Sequence, residues 1–95
     1  MRNPRFVRRI LTPAERAVCR TPQSVAGRWA AKEAIAKALD ARLSWQEVEV
    51  LPGHAGKLVV RVVGFEGVKL HVSISHERAH AAAVAVAERA GQEAL

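Results

Sequence analysis

The stretch TPQSVAGRWAAKEAIAKAL, residues 21–39, decides the architecture of this chain. Thr21 can cap the free amides of a first helical turn, and Pro22 costs nothing at the first helical position. One long helix is therefore predicted from Pro22 through about Leu39, where Asp40 ends the apolar pattern. A step of about 100° per residue puts Val25, Trp29, Lys32, Ala36 and Leu39 within about 40° of one line. Lys32 thus falls inside the apolar stripe. Glu33 and Lys37 lie about 80° and 120° round from Val25, one turn apart, on the side that carries Ala26 and Ala30.

These three charges admit two readings. Lys32 can run its aliphatic stem out to water, and Glu33 followed four residues later by Lys37 is the favourable order for a surface pair worth about 0.2–0.5 kcal/mol. A carboxylate and two ammonium groups beside a lane of alanines is also what a metal-bridged phosphate needs. The carboxylate can hold a hard cation, the lysines can neutralise phosphate oxygens, and the small residues let a ligand approach.

On the N-terminal side, Thr12-Pro13-Ala14-Glu15 has the form of a capping box and predicts a short helix from Pro13 to about Arg20. On the C-terminal side the period changes to two. Val48 and Val50 alternate with Glu47 and Glu49, and residues 52–56 form a Pro-Gly turn. Leu58 to Val63 is a β-branched run, and Gly64 to Gly67 is a second turn. From Val68 to Ser75 the alternation sets Val68, Leu70, Val72 and Ile74 against Lys69, His71, Ser73 and Ser75. Ala81 to Ala87 is ambiguous, since alanine favours a helix while Val84 and Val86 alternate as in a strand.

With 95 residues and 49% hydrophobic content the chain can build one small core, and a single α+β domain over residues 1–95 is expected. Aromatics are only 4%, so Trp29 and Trp45 are expected as core anchors among Ala, Val, Leu and Ile. The lone Cys19 excludes an internal disulfide and is read as packing. No apolar run reaches the ~20 residues a membrane-spanning helix needs, and no membrane partner is expected.

The net charge of +6 is unevenly placed: up to Arg28 seven arginines face one acid, Glu15, whereas beyond it eight bases balance eight acids. Such a block attracts a polyanion or an acidic protein. A basic nucleic-acid-binding module is one reading, but the poverty in aromatics and the lack of a reading motif argue against it. His76 and His80 have a zinc-compatible spacing, with no cysteine or acidic cluster to complete a site.

The segment Trp29-Ala30-Ala31-Lys32-Glu33-Ala34-Ile35-Ala36-Lys37 resembles the signature of the phosphopantetheinyl transferases. More narrowly, Phe6 to Glu15, Leu43 to Val50, Gly56-Lys57 and Val72 to His76 are similar, in order, to segments of the small holo-acyl-carrier-protein synthases. The resemblance implies an α+β fold with two N-terminal helices packed on a small antiparallel sheet of three to four strands, and it favours a strand for Ala81 to Ala87. It implies a transferase that moves the phosphopantetheine arm of coenzyme A onto a serine of an acyl carrier protein, in the cytoplasm and as a homotrimer with sites between subunits. Magnesium would be held in part by Glu33. Lys37 would contact phosphate and assist deprotonation of the serine, Lys32 would neutralise coenzyme A phosphates, and His76 would contact a phosphate. Arg8, Arg9 and Arg16 are the implied docking residues for the acidic carrier protein.

Two features of the resembling family have no counterpart here: an opening Gly-Ile-Asp strand whose aspartate is a second magnesium ligand, and a glycine-rich loop where this chain has Asp40-Ala41-Arg42. The expectation is a shortened transferase, with a non-catalytic relative that binds coenzyme A or a carrier protein as the alternative.

Overall fold

The computed structural model describes residues 4–76 and 81–89. Three helices, α1 (Pro4–Ile10), α2 (Pro13–Val18) and α3 (Pro22–Leu39), precede four strands, β1 (Val48–Pro52), β2 (Leu58–Val62), β3 (Val68–His76) and β4 (Ala81–Arg89). The start signals act as expected. Thr12 and Glu15 form a reciprocal capping box on α2, and the Thr21 side chain accepts from the Ser24 amide at the head of α3. Asp40 ends α3 in the left-handed region, at φ 52°, where its amide reaches back to the carbonyls of Ala36 and Lys37. A glycine commonly fills that position, and aspartate is among the few residues that tolerate it.

Helix α1 was not expected, and α2 ends earlier than predicted. A seven-residue helix is too short to hold itself together, so its stability must come from outside. The Gln46 side-chain amide donates to the carbonyls of Arg8, Arg9 and Leu11, and Arg16 Nη1 donates to Leu11 as well. The C-terminal end of α1 is thus closed by side chains from elsewhere in the chain, which no local pattern reveals.

The four strands form two antiparallel hairpins. In one, β1 pairs with β2 from Val48↔Val62 to Pro52↔Leu58; in the other, β3 pairs with β4 from Val68↔Arg89 to His76↔Ala81. Strands β2 and β3 touch without a shared ladder, so the single small sheet that was expected is split in two. The alanine-rich segment is a strand, and its register explains its composition. Leu70, Val72 and Ile74 lie opposite Ala87, Ala85 and Ala83, each large side chain facing a small one. Helix α3 packs across this face, and the alanines leave room for it.

The buried stripe of α3 is Val25, Gly27, Ala31, Lys32, Ile35 and Leu39. It is turned from the predicted line: Ala36 lies at its margin and Trp29 is 39% exposed, its ring edge-on to Phe6 at 5.3 Å and 78°. Alanine recurs on nearly every side of α3, so the sequence offers little contrast and tertiary packing selects the face. Trp45 is half-buried, and neither tryptophan anchors the core. That role falls to two apolar clusters, one of Ala31, Ile35, Leu39, Val48, Val50 and Val62, the other of Ile10, Leu11, Cys19 and Val25.

The turn between β1 and β2 places Ala55 at φ 57°, a conformation that costs an L-residue about 1–2 kcal/mol. Gly53 has the opposite constraint, since an added Cβ would lie 2.6 Å from Val59 Cγ2 and 3.0 Å from the Lys57 carbonyl oxygen. Ala55→Gly is therefore expected to stabilise the chain by roughly 0.5–1 kcal/mol and Gly53→Ala to destabilise it, both read as shifts of the denaturant midpoint at constant slope.

Candidate active site

The site is built around a buried ion pair. Lys32 Nζ donates to Glu15 Oε1 at 2.6 Å, to the Ile10 carbonyl at 2.6 Å and to the Trp45 carbonyl at 2.8 Å. All three ammonium donors are used, and both side chains of the pair are 0% exposed. Glu15 Oε1 also accepts the Thr12 amide at 2.9 Å, and Oε2 accepts the Val50 amide at 2.7 Å. Thr12 Oγ1 in turn donates to Glu49 Oε2 at 2.6 Å. Loss of water lowers the Lys32 pKa from its ordinary value, opposed by the hydrogen bond and charge of Glu15 and by the charge of Glu49. The expected role of Lys32 in neutralising coenzyme A phosphates is corrected: its ammonium has neither exposure nor a spare donor.

Glu33 and Lys37 stand differently. Both are exposed on the outer side of α3, and neither has a hydrogen bond or ion pair among the described residues. The surface pair that their spacing allows is not formed, so carboxylate and ammonium are both available to a ligand. No cluster of three or more His, Cys, Asp and Glu side chains able to hold a metal occurs among the described residues. Glu33 on its own suits a cation shared with phosphate oxygens, as magnesium often is, and not an all-protein cage.

Two grooves flank the gap between the hairpins. One, of about 540 Å³, is lined by Arg28, Lys57, His71 and Ser73 with Leu58, Leu70 and Ile74 among its apolar walls. No carboxylate lines it among the described residues, so it favours an anion. Arg28 Nε is anchored to the Val50 carbonyl at 2.9 Å, which leaves the other guanidinium N–H groups for a ligand. The other groove, of about 530 Å³, is lined by Glu47, Glu49 and Glu66 against Arg61 and repels a polyanion. The sequence gives neither Arg28 nor Lys57 a binding role, although Lys57 lies in the Gly56-Lys57 segment of the resemblance. Arg28 was counted in the basic block, and its place four residues before Lys32 on one helix face was the available signal.

The cationic groove and the Glu33–Lys37 pair do not share a side of α3. Glu33 and Lys37 are about 140° and 180° round the helix from Arg28. Arg8 and Arg9 are exposed on α1, whereas Arg16 is half-buried and tied to Leu11. His76 pairs with Ala81 in the β3–β4 ladder, and its side chain, like all of His80, lies outside the described residues. Cys19 is buried, and burial pushes its thiol pKa up, against a reactive role.

An α+β chain that presents a carboxylate and an ammonium from one side of a long helix and an anion-favouring groove at the other belongs to a known class. Residues 1–87 match the 4'-phosphopantetheinyl transferase superfamily, and the chain belongs to it. Among its relatives are holo-[acyl-carrier-protein] synthases. That of an Exiguobacterium species is 42% identical over 96% of this chain and 81% of its own length; that of Moorella thermoacetica is 42% identical over 97% and 84%. The solved Bacillus anthracis synthase, in complex with CoA (3',5'-ADP), superposes with a TM-score of 0.81 at 34% identity over 90% of this chain and 82% of its own. The Helicobacter pylori synthase in complex with coenzyme A gives 0.78 at 28% identity over 88% and 82%.

Breaking the buried pair by Lys32→Met leaves Glu15 charged in a dry site and is expected to cost about 3–5 kcal/mol. Adding Glu15→Gln should return part of that loss, so that chemical denaturation of the two single variants and the double variant gives a non-additive cycle.

Proposed function

We propose that this chain transfers the phosphopantetheine arm of coenzyme A to a serine of an acyl carrier protein. The observation that carries the reading is the exposed, unpaired Glu33 and Lys37, one turn apart on α3 within the segment that resembles the family signature. In the reaction a bond forms between the serine oxygen and the phosphorus that bears the pantetheine. The bridging P–O bond of the pyrophosphate breaks, and the adenosine bisphosphate leaves. Lys37, as the ammonium, offsets charge on the phosphate oxygens and stabilises the negative charge that develops as the serine proton passes to water, which assists the deprotonation. Glu33 supplies a carboxylate oxygen for magnesium, which when bound neutralises pyrophosphate charge. Arg28 and Lys57 hold the nucleotide phosphates in the cationic groove.

Since that groove and Glu33–Lys37 lie on opposite sides of α3, one coenzyme A uses both only if two chains meet. This supports sites between subunits, and the resemblance makes the assembly a homotrimer. Strand β4 has Val84 and Val86 at 66% and 54% exposure on its outer face, apolar surface that self-association would cover. The exposed Arg8 and Arg9, with Arg16 beside them, offer the acidic carrier protein its docking surface. The reading includes a cytoplasmic setting in fatty acid or polyketide biosynthesis, where coenzyme A and carrier protein meet. His76 is retained as a phosphate contact on the resemblance alone. The alternative outcome is coenzyme A or carrier-protein binding without turnover.

Mass spectrometry of an apo carrier protein incubated with the chain, coenzyme A and magnesium should show the gain of one phosphopantetheine. The gain should disappear with a chelator and fall on the order of 100-fold in rate for Glu33→Gln and Lys37→Met. Isothermal titration that finds coenzyme A binding with no mass gain would sink the transferase reading and leave the binding one. Arg8→Glu with Arg9→Glu should raise KM for the carrier protein about tenfold at low salt, and less as salt is added.

A further inference from the structure

We infer that Lys32 and Glu15 are positioning residues: the buried pair sets the rotation of α3 about its own axis, and thereby the direction in which Glu33 and Lys37 face. Apart from Lys32, the inward side of α3 is Val25, Gly27, Ala31, Ile35 and Leu39; Val25 packs with Ile10, Leu11 and Cys19, while Ala31, Ile35 and Leu39 rest on the alanine-lined face of β3–β4. Apolar contacts of this kind are non-directional, and a helix with alanine on nearly every side can turn over them at small cost. The Lys32 hydrogen bonds are directional and end on oxygens of three separate elements. Ile10 closes α1, Glu15 belongs to α2, and Trp45 precedes β1. Glu15 is itself immobilised by the Thr12 and Val50 amides. With Lys32 held inward, Glu33 is turned about 100° and Lys37 about 140° away from it, toward the outer side. A ligand-binding role would need an ammonium with a free donor, which Lys32 lacks.

The consequence for activity rests on the proposed transfer; the consequence for helix rotation does not. Trp29 sits three residues before Lys32 with its ring edge-on to Phe6, so its emission reports any turn of α3. In a Trp45→Phe background, Lys32→Met is expected to shift Trp29 emission to the red, and Glu15→Gln to shift it the same way. In the transfer assay kcat should fall on the order of 100-fold for Lys32→Met, a loss larger than the rise in the coenzyme A dissociation constant, titrated without metal, that follows as Arg28 and Lys37 turn with the helix. The Lys32→Met/Glu15→Gln double variant should recover part of kcat. Lys32→Arg, which keeps the charge but not the fit to three fixed oxygens, should not.

Unchanged Trp29 emission in both single variants overturns the inference. So does a coenzyme A dissociation constant that rises as far as kcat falls in Lys32→Met and is restored by Lys32→Arg, because that is the behaviour of a phosphate ligand. If Lys32→Met does not fold, Glu15→Gln decides alone: lowered kcat with a Trp29 shift supports positioning, and parental values of both overturn it. A parental chain that transfers nothing while both variants shift Trp29 removes the transferase reading and leaves the positioning role standing.

Discussion

The buried contact between Glu15 and Lys32 is the constraint on which the rest of the structure depends. A carboxylate and an ammonium lose their water at a cost of several kcal/mol each, and only close approach with full hydrogen bonding offsets it. Here every Lys32 donor and both Glu15 oxygens are engaged. The partners come from α1, α2, α3, the segment before β1 and β1 itself. The pair therefore joins the N-terminal helices to the long helix and to the first hairpin, at the junction of the two apolar clusters. Among the described residues, no buried side-chain polar atom in the structure lacks a partner.

Around this pair the packing is made from small side chains. Alanines on α3 and β4 bring helix and hairpin close together, and Leu70, Val72 and Ile74 fill the space that the opposing alanines leave. Such an interface is compact but has few large, shape-specific features to define one orientation. Directional polar contacts supply the missing definition. The same division of labour holds α1, a helix too short to persist alone, through Gln46, Arg16 and Lys32.

Two oddities in the sequence turn out to answer one another. Glu15 is the lone acid in a segment with seven arginines, and Lys32 is the lone charge in an apolar stripe. Each had an adequate local explanation, a capping box for one and a snorkelling stem for the other, so nothing required them to be paired. The capping box is real, yet it uses only part of Glu15. The basic block is likewise less uniform than its count suggests. Arg16 caps a helix end and Arg28 braces β1 beside an anion-favouring groove, while Arg8 and Arg9 remain exposed.

The order of the elements after α1, their start signals, the α+β class and the spacing of Glu33 and Lys37 could all be read from the sequence. Caps and periodicities act over three or four residues, and the chain records them locally. The extent of the family resemblance was legible for the same reason, as a series of short segments in order. Tertiary structure alone decided the rest: helix α1, the split of the sheet into two hairpins, the face that α3 buries, and the change of Lys32 from expected ligand to interior ion pair. These depend on which groups meet across 17 to 38 residues of chain, as Lys32 meets Glu15 and Gln46 meets Arg8. In a chain so rich in alanine, local hydrophobic contrast is too weak to foretell those meetings, and the need to satisfy buried polar groups settles them.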